Sequence, residues 1–219
     1  MNTRALVAPA ISRRSFLLGS AAAAGATISL SGCATFFDRG ADTGVYGALP
    51  DERFPLPAVD VSDVDPRLLR HTVRYTTSEP VGTIVVELQP RYLYHVEEEG
   101  MATRYGINAP RDPFEWEGVA FIDRKAEWPI WTPTPAQQGR DPSLRQWAGG
   151  MPPGITNPLG SRALYLYQNG VYTLCTIYGT DQAWTLGQGV SSGCIGLLNQ
   201  DVIHLYNRTP LGTRVVIIA

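Results

Sequence analysis

The sequence predicts a mainly β domain over residues 71–219, with one helix close to its C-terminus. Short segments of alternating apolar and polar residues recur along this region. Gly, Pro, Asn or Asp residues separate them, as is typical of strands joined by turns. The pair Asn169-Gly170 lies between two such segments and is a strong β-hairpin signal. Apolar residues from Leu198 to Tyr206 recur every three to four positions and predict the helix.

The segments with the strand pattern are residues 71–75, 82–88, 91–97, 101–106, 118–122, 163–167, 171–177 and 212–218. Residues 132–156 are rich in Pro, Gln and Gly and predict a long loop. This loop either covers a functional cleft as a lid or has no functional role. About 150 residues remain for the domain, which is enough for a single hydrophobic core.

Residues 1–32 have the pattern of a signal peptide. Arg13-Arg14 precedes an Ala- and Gly-rich apolar stretch from Phe16 to Leu30, which is short for a membrane span. The segment that ends at Cys33, Leu-Ser-Gly-Cys, resembles a bacterial lipobox and implies lipid on the Cys33 sulfur. The alternative is an ordinary cleaved signal in which Cys33 has no role. A twin-arginine pattern is typical of export in the folded state.

Residues 33–70 contain many Gly, Pro and Asp residues and little periodicity, so they predict a flexible linker. Several acyl chains on Cys33 would give stable anchoring, because a single chain binds a membrane only marginally. We therefore expect a periplasmic protein that is anchored to the membrane through Cys33. Ala34 after that cysteine favours the outer membrane.

Charge and composition argue against several classes of partner. The net charge is −2, and the mature part has no cluster of Lys and Arg, so we do not expect a nucleic-acid partner. The chain lacks a Gly-rich segment with phosphate-binding spacing, and its three histidines are scattered. We expect neither a cofactor nor a metal. His95 on a predicted strand and His204 on the predicted helix have the pattern of surface or core histidines.

Cys194 carries the strongest chemical signal. It follows Ser191, Ser192 and Gly193 and precedes the apolar run that leads into the predicted helix. We expect it where a loop of small residues enters that helix. There, unpaired N–H groups and the helix dipole would lower the thiol pKa and favour the nucleophilic thiolate. The N–H groups of Gly193 and Cys194 would form an oxyanion hole. The alternative is a buried core cysteine.

Cys175 lies on the predicted strand that leads to Tyr178. A disulfide between Cys175 and Cys194 is one interpretation, because an exported chain matures in an oxidising compartment. Along a strand, Cys175 and Tyr178 face opposite sides. If Tyr178 faces Cys194, then Cys175 points away from it and belongs to the core.

Three ordered segments resemble the signature of the YkuD-type L,D-transpeptidases. They are Tyr178-Gly-Thr180, Trp184-Thr-Leu-Gly187 and Ser191-Ser-Gly-Cys-Ile195, and flanking segments extend the resemblance over residues 75–219. The resemblance implies a β-sandwich-like catalytic domain with a helix after the catalytic cysteine. It also implies that Cys194 attacks the carbonyl between an L- and a D-residue of a peptidoglycan stem peptide, and then passes the acyl group to an amine.

The resemblance assigns the other site residues. The catalytic positions are Cys194 as nucleophile, Tyr178 in place of the family's base histidine, Gly193 in the oxyanion hole, and Ser192. The substrate-binding positions are Gly179, Thr180, Trp184, Ser191 and Gly196. Structural interpretations are also open. Gly179 and Gly193 would serve turns that need positive φ, and Trp184 would be a core or pocket-wall residue.

Three positions depart from the family pattern. Tyr178 replaces the base histidine, Gly196 replaces an arginine that commonly lies near the substrate's charged group, and Ser192 replaces a second histidine. Tyrosine has a pKa of about 10, so it is a poor base near neutral pH. Loss of the arginine removes a bidentate partner for a carboxylate.

Three functions remain open on these residues. The first is an L,D-acyltransferase with altered chemistry, in which Tyr178 is a hydrogen-bond partner of Cys194. The second is a non-catalytic module on the same fold that binds peptidoglycan or an envelope protein partner. The third is an amide hydrolase that uses the same cysteine. An abandoned site would be expected to lose its cysteine and glycines, so their retention favours the first.

Overall fold

The computed structural model describes residues 43–110, 117–191 and 193–218. Its strands are β1 (His71–Arg74), β2 (Ile84–Glu87), β3 (Tyr92–Val96), β4 (Met101–Gly106), β5 (Ala109–Pro110), β6 (Gly118–Glu127), β7 (Arg162–Gln168), β8 (Val171–Thr180), β9 (Gly189–Ser191), β10 (Ile195–Leu198) and β11 (Arg214–Ile218). Its helices are α1 (Pro135–Arg140) and α2 (Asn199–Arg208), with short 3-10 helices at Thr43–Tyr46, Pro66–Leu68, Glu98–Gly100, Pro142–Trp147 and Ala183–Thr185. The mainly β prediction is confirmed. The predicted signal peptide and Cys33 lie outside the described residues.

A nine-stranded sheet carries the fold within the described ranges. Its strand order is β1-β4-β3-β2-β11-β6-β7-β8-β10. Neighbouring strands are antiparallel, except that β11 is parallel to β2 and β10 is parallel to β8. The short strands β5 and β9 form a separate parallel pair. Strand β10 therefore ends the large sheet, and β8 is its neighbour in it.

The predicted hairpin turn joins β7 to β8. Asn169 has φ 52° and Gly170 has φ 76°. Two successive residues with positive φ are the requirement of the turn that matches the twist of a two-residue hairpin. Gln168 and Val171 pair directly across it. The prediction of a hairpin at this position is confirmed.

The main core lies between one face of the sheet and α2. Alternate residues of each strand point into it, as the two-residue period of a strand requires. Its buried members include Ile84 and Val86 of β2, Ile177 of β8, Ile195 and Leu197 of β10, and Val202 and Leu205 of α2. Burial of one such side chain stabilises the fold by about 1.5–3 kcal/mol.

Residues near the two ends of the sheet meet. Asn108, two residues beyond β4, exchanges backbone hydrogen bonds of 2.9 and 3.2 Å with Gly196 of β10. Strand β4 is second from one end of the sheet, and β10 is the other end. This single bridge closes the sheet, and the closure brings Asn108 next to the segment that carries Cys194.

Residues 43–69 pack against the domain, in contrast to the flexible linker that the sequence predicts over 33–70. The Tyr46 hydroxyl donates to Asp201 Oδ2 at 3.1 Å, and the Arg70 N–H donates to the Tyr46 oxygen at 2.7 Å. The buried apolar side chains of this segment, which pack with Leu186 and Leu198, are Tyr46, Val64 and Leu69. These anchors are isolated in sequence, so no period reveals them. Residues 33–42 lie outside the described ranges.

The predicted loop at 132–156 contains regular structure. It includes α1, whose N-terminus is closed by a capping box between Thr134 and Gln137, and the 3-10 helix Pro142–Trp147. The Asn157 side chain donates at 3.0–3.1 Å to the carbonyls of Pro129, Met151 and Pro152, which fixes the base of the loop. A role for the loop as a lid stays a prediction. Within the described residues, no helix is long and apolar enough to cross a membrane.

Candidate active site

Cys194 lies immediately before β10, the strand at the end of the large sheet. The predicted loop-to-helix position is wrong, because the four residues of β10 separate Cys194 from α2. The thiol therefore does not lie at the N-terminus of a helix and gains nothing from a helix dipole. Its surroundings are set by the neighbouring strand β8.

The register of β10 on β8 fixes which side chains share a face. Ile195 pairs with Ile177, and both belong to the core. Gly196 pairs with Tyr178. Because side chains alternate along a strand, Cys194 and Gly196 lie on the face opposite to Ile195, as does Tyr178. The sheet thus presents Cys194, Gly196 and Tyr178 together on the side away from the core.

The Cys194 sulfur contacts two backbone groups of β8. Its S–H donates to the Leu174 carbonyl at 3.8 Å. The Thr176 N–H donates to the sulfur and acts to lower the thiol pKa, but burial outweighs it and raises that pKa above its usual range. The predicted lowering of the pKa is therefore wrong. Cys194 is a free, partly exposed cysteine, and its raised pKa favours the thiol over the thiolate.

A bulge in β8 places the Leu174 carbonyl at the sulfur. The register between β7 and β8 shifts between Tyr165 and Tyr167, so β8 carries extra residues at this point. Leu174 has φ 63° and is 67% exposed. Such a backbone conformation costs about 1–3 kcal/mol for a bulky residue and is common at functional sites.

Tyr178 is half-buried and lies on the cysteine's face of the sheet. Its hydroxyl donates to Asn108 Oδ1 at 3.3 Å. Burial, with a smaller contribution from Cys194, raises the pKa of Tyr178 to about 12. The phenol is therefore protonated near neutral pH, so it can donate a hydrogen bond or a proton, and it can accept a proton only as it gives up its own.

Asn108 is a site residue that the sequence did not predict. It is 2% exposed, and its Oδ1 accepts hydrogen bonds from the Gly196 N–H at 2.9 Å and from Tyr178. Its Nδ2 donates to Thr185 Oγ1 at 3.1 Å. Asn108 therefore holds the Tyr178 hydroxyl in place. In the sequence it is only a polar residue after a strand, about 70 positions from Tyr178.

Gly196 has no room for a side chain. A Cβ atom on this residue would lie 2.4 Å from Asn108 Oδ1 and 2.6 Å from Asn108 Nδ2. The Asn108 amide thus occupies the space in which an arginine at position 196 would begin. The glycine at position 196 and the buried Asn108 side chain therefore depend on each other, because the amide fills the space that a longer side chain would need.

The loop before Cys194 is held by Ser191 and Gly193. Ser191 Oγ donates to the Cys194 carbonyl at 2.5 Å. Gly193 has φ 133°, a region that L side chains rarely adopt, which confirms its interpretation as a glycine that needs positive φ. The oxyanion hole at Gly193 and Cys194 stays a prediction. Ser192, the remaining catalytic prediction, lies outside the described residues.

The other predicted binding residues occupy different environments. Gly179 is buried, and a Cβ there would lie 2.3 Å from Asn199 Oδ1, so it serves close packing on α2 and not a positive-φ turn. Thr180 Oγ1 accepts from the Gln182 N–H at 3.1 Å. Trp184 is 71% exposed, so its interpretation as a core residue is wrong. Roles of these residues in substrate binding stay predictions.

Cys175 is a free thiol that is 1% exposed and belongs to the main core. The core interpretation is confirmed and the disulfide with Cys194 is absent, because both cysteines are described and free.

His204 Nδ1 lies 2.7 Å from the Tyr105 hydroxyl. Within the described residues, the hydrogen-bond partners of the Cys194 sulfur are backbone groups, so no histidine acts as its base. These ranges also contain no group of three or more His, Cys, Asp or Glu residues arranged to hold a metal.

The structure thus places a free cysteine directly before an end strand, with a tyrosine on the same face of the neighbouring strand. The sequence profile of YkuD, the L,D-transpeptidase catalytic domain, matches residues 82–217. The chain belongs to this family.

Two relatives and one solved structure are similar to the chain. The chain is 36% identical over 137 residues to the "Putative L,D-transpeptidase in ATP synthase subunits region ORF 5" of Fuscovulum blasticum, a match that covers 62% of this chain and 68% of the relative. It is 39% identical over 145 residues to "Probable L,D-transpeptidase ErfK/SrfK" of Escherichia coli K12, which covers 63% of this chain and 44% of that protein. A solved structure, "Probable carnitine operon oxidoreductase caia" from Brucella melitensis, is 42% identical, with 73% of this chain and 99% of that chain covered and a TM-score of 0.49. The chain thus matches less than half the length of the Escherichia coli relative.

Proposed function

We propose that the chain is a cysteine acyltransferase of the cell envelope that acts on peptidoglycan stem peptides through an altered L,D-transpeptidase site. The observation that carries this proposal is the position of Cys194, which is partly exposed on the same face as Tyr178 and receives a hydrogen bond from the Thr176 N–H. That N–H stabilises negative charge on the sulfur once a proton leaves.

The proposed reaction has two acyl transfers. The Cys194 sulfur attacks the carbonyl between an L- and a D-residue, and the C–N bond breaks to give a thioester and the amine of the released D-residue. An amine on another stem then attacks the thioester, which forms a new amide and restores the thiol. Each step moves one proton: from the thiol to the leaving amine, and from the acceptor amine to the sulfur.

Tyr178 carries that proton in a relay. A phenol with a pKa of about 12 is protonated at neutral pH, so it donates to the leaving amine only as it recovers a proton from the thiol. The hydrogen bond to Asn108 orients the hydroxyl for this exchange. A relay of this kind is slower than imidazole catalysis, because the pKa of the phenol is far from neutrality.

Asn108 alters the charge that the site recognises. Its neutral amide stands where an arginine would begin, and its oxygen is already occupied by Gly196 and Tyr178. An amide does not offer the planar pair of charged donors that binds a carboxylate. The favoured acyl donor therefore carries a neutral group at this position, such as an amidated stem-peptide carboxyl.

A non-catalytic module that binds peptidoglycan or an envelope protein is the second candidate. The raised pKa of Cys194 and the raised pKa of Tyr178 favour it, because both groups are then neutral and neither activates the other. An amide hydrolase would share the thioester and differ only in its acceptor, which would be water.

Intact-mass analysis of the full-length chain separates these functions. The chain and its Cys194→Ala variant are incubated with a carbapenem and, separately, with tetrapeptide muropeptides in the presence of an acceptor amine. We expect an adduct on Cys194 and a transferred product, both absent in the variant. Release of the D-residue with no transfer identifies the hydrolase. The absence of any adduct or product rejects acyl transfer and leaves the binding module.

We also propose that the chain is held in the periplasm by lipid on Cys33, with the outer membrane as its site. Support comes from the Leu-Ser-Gly-Cys segment and Ala34 in the sequence. Expression in a Gram-negative host followed by membrane fractionation tests this. Lipid mass on the Cys33 peptide is expected, and a Cys33→Ala variant that fractionates identically would reject the anchor.

A further inference from the structure

A polar cleft that is separate from the candidate active site lies between the sheet and the C-terminal part of α2. A cavity of about 140 Å³ is lined by Arg70, His71, Thr72, Thr103, His204 and Arg208. A wider groove of about 510 Å³ shares Thr72 and Arg208 with it and is lined also by His95 and Glu97. None of the candidate active-site residues lines either space.

A row of polar side chains crosses three strands at the wall of this cleft. Thr72 pairs with Thr103, and Thr103 pairs with His95, across β1, β4 and β3. Directly paired residues of antiparallel strands present their side chains on the same face. His204 and Arg208, which lie about one helical turn apart on α2, line the same space.

His95 is the unexplained group of the cleft. It is 6% exposed, and within the described residues neither of its ring nitrogens has a hydrogen-bond partner. Buried polar side chains are almost always hydrogen-bonded, so an orphaned imidazole that lines an open groove indicates a missing partner. His204, in contrast, has its Nδ1 2.7 Å from the Tyr105 hydroxyl.

The smaller cavity is the part of the cleft that is receptive to an anion, because its charged and titratable lining residues are Arg70, His71, His204 and Arg208, whereas Glu97, Glu98 and Glu99 line the wider groove. Arg208 pairs with Glu97, and Glu97 also accepts from Thr103 Oγ1 at 2.6 Å. Arg70 pairs with the fully buried Asp201 at 3.4 Å, which is a long contact for an arginine–carboxylate pair. The two arginines, the three imidazoles of His71, His95 and His204, and the Thr72 hydroxyl are hydrogen-bond donors or can become donors, whereas the Thr103 hydroxyl already donates to Glu97.

We propose that this cleft is a binding site for a small oxyanion, a phosphate or carboxylate group, held by Arg70 and Arg208 of the smaller cavity and by His95 of the adjoining groove. The cavity has room for such an ion, since a single water needs only about 10–15 Å³. A metal ion does not suit the site, because the positive charges of the two arginines would repel a metal cation. The proposal does not depend on acyl transfer at Cys194.

Binding of the anion is expected to take up a proton. Burial, then the nearby Arg208, lowers the pKa of His95, with Glu97 acting in the opposite direction. Burial, then Arg70 and Arg208, lowers the pKa of His204 to about 4, again against Glu97. Both shifts favour the neutral imidazole in the free protein. An anion between them and the arginines raises both pKa values, so affinity increases as the pH falls.

Isothermal titration of the full-length chain tests the site, with inorganic phosphate and acetate as separate probes at constant ionic strength. We expect binding that is stronger at about pH 5.5 than at about pH 7.5. His95→Gln and Arg208→Gln are each expected to weaken it by roughly tenfold, the size of one lost charge-assisted hydrogen bond. Arg214→Gln is the matched control, because Arg214 also pairs with a glutamate, Glu79, but lies outside the cleft.

A histidine NMR titration gives a second measurement on the unmutated chain. The pKa of His95 is expected to rise when phosphate is added. Binding of only one probe identifies the source of the oxyanion group. Failure of both probes to bind, an unchanged pKa of His95, or binding that His95→Gln and Arg208→Gln leave intact would overturn the proposal.

Discussion

The Cys194 sulfur lies between two backbone groups that have opposite effects on its ionisation. The Thr176 N–H stabilises the thiolate, whereas the Leu174 carbonyl accepts a hydrogen bond that only the thiol can donate. Both groups belong to β8, so the strand that positions the nucleophile also sets its protonation. Burial decides the balance in favour of the thiol.

The raised pKa of Cys194 predicts how its alkylation rate depends on pH. Because the pKa of this thiol is raised, the rate of alkylation by iodoacetamide should rise about tenfold per pH unit and reach no plateau below about pH 8.5, the usual cysteine pKa. Peptide-resolved mass spectrometry measures the rate at Cys194 separately from other cysteines. Cys175, which is 1% exposed, is the internal control and should stay unlabelled. A plateau near neutral pH would contradict the raised pKa.

Variants of Tyr178 test the proton relay. Tyr178→His places a group with a pKa of about 6.5 beside the thiol and should raise the rate of carbapenem acylation by roughly 10²-fold. Tyr178→Phe keeps the ring but removes the hydroxyl, so acylation should fall if the phenol moves a proton. Stopped-flow or intact-mass kinetics measures both rates. Equal rates in Tyr178→Phe and the unmutated chain would show that the phenol has no part in the reaction.

The sequence predicts those residues of the candidate site whose signal is local. Tyr178, Gly193 and Cys194 belong to short ordered segments, and the structure places Tyr178 and Cys194 on one face of adjacent strands. Asn108 escaped prediction because its contacts with Tyr178 and Gly196 are long-range. A polar residue after a strand is too common to carry information about such contacts.

The misassigned element was β10. Ile195-Gly-Leu-Leu is a short apolar run directly before a helical pattern, and such runs do not distinguish a buried strand from the start of a helix. Pairing with β8 decides the matter in the fold, and that pairing is invisible in the local sequence. This error affected the predicted pKa of Cys194, because the helix dipole that was expected to lower it does not act there.

The segment 43–69 is the second element that the sequence did not predict. Its charged anchor is Glu52, whose carboxylate accepts from the Arg162 guanidinium at 2.7 and 3.0 Å and from Trp128 Nε1 at 2.9 Å. Hydrogen bonds to Arg162 and Trp128 lower the pKa of Glu52 although burial opposes them. Arg162 is 6% exposed, so this ion pair is largely removed from water.

Removal of Glu52 should therefore destabilise the domain strongly. Glu52→Ala leaves the buried Arg162 guanidinium without its partner, which should lower the free energy of unfolding by about 3–5 kcal/mol. Asp65→Ala is the matched control. Its pair with Arg67 is exposed on both sides, so its loss should change stability far less than the loss of Glu52. Urea unfolding of the two variants measures the difference, and equal effects would mean that the segment contributes little to the fold.

At the scale of the whole molecule, the contact between Asn108 and Gly196 joins two regions that are far apart in the strand order. The same contact positions Tyr178 through the Asn108 side chain. Closure of the sheet and orientation of the candidate relay therefore depend on one residue pair. An arginine at position 196 has consequences for both.

This dependence predicts how the molecule responds to a side chain at position 196. Gly196→Ala forces a Cβ to within 2.4 Å of Asn108 Oδ1, so overpacking should destabilise the fold by about 1–3 kcal/mol. The Gly196→Arg variant should lose at least as much and should recover no activity by itself, because it displaces Asn108. Gly139→Ala is the control. A Cβ there meets nothing within 4 Å, and Gly139 lies in α1, so stability should be unchanged or slightly higher.

A double-mutant cycle isolates the steric conflict from other effects of the substitution. Asn108→Gly removes the side chain that a Cβ at position 196 would contact, but it keeps the backbone pairing of the two residues. The double variant Asn108→Gly/Gly196→Ala should therefore be less destabilised than the sum of the single variants, by about 0.5–3 kcal/mol. Additive losses would mean that the Asn108 side chain does not compete for this space. A favourable coupling would make Asn108→Gly the background in which to test whether an arginine at position 196 and a histidine at position 178 together increase acyl transfer.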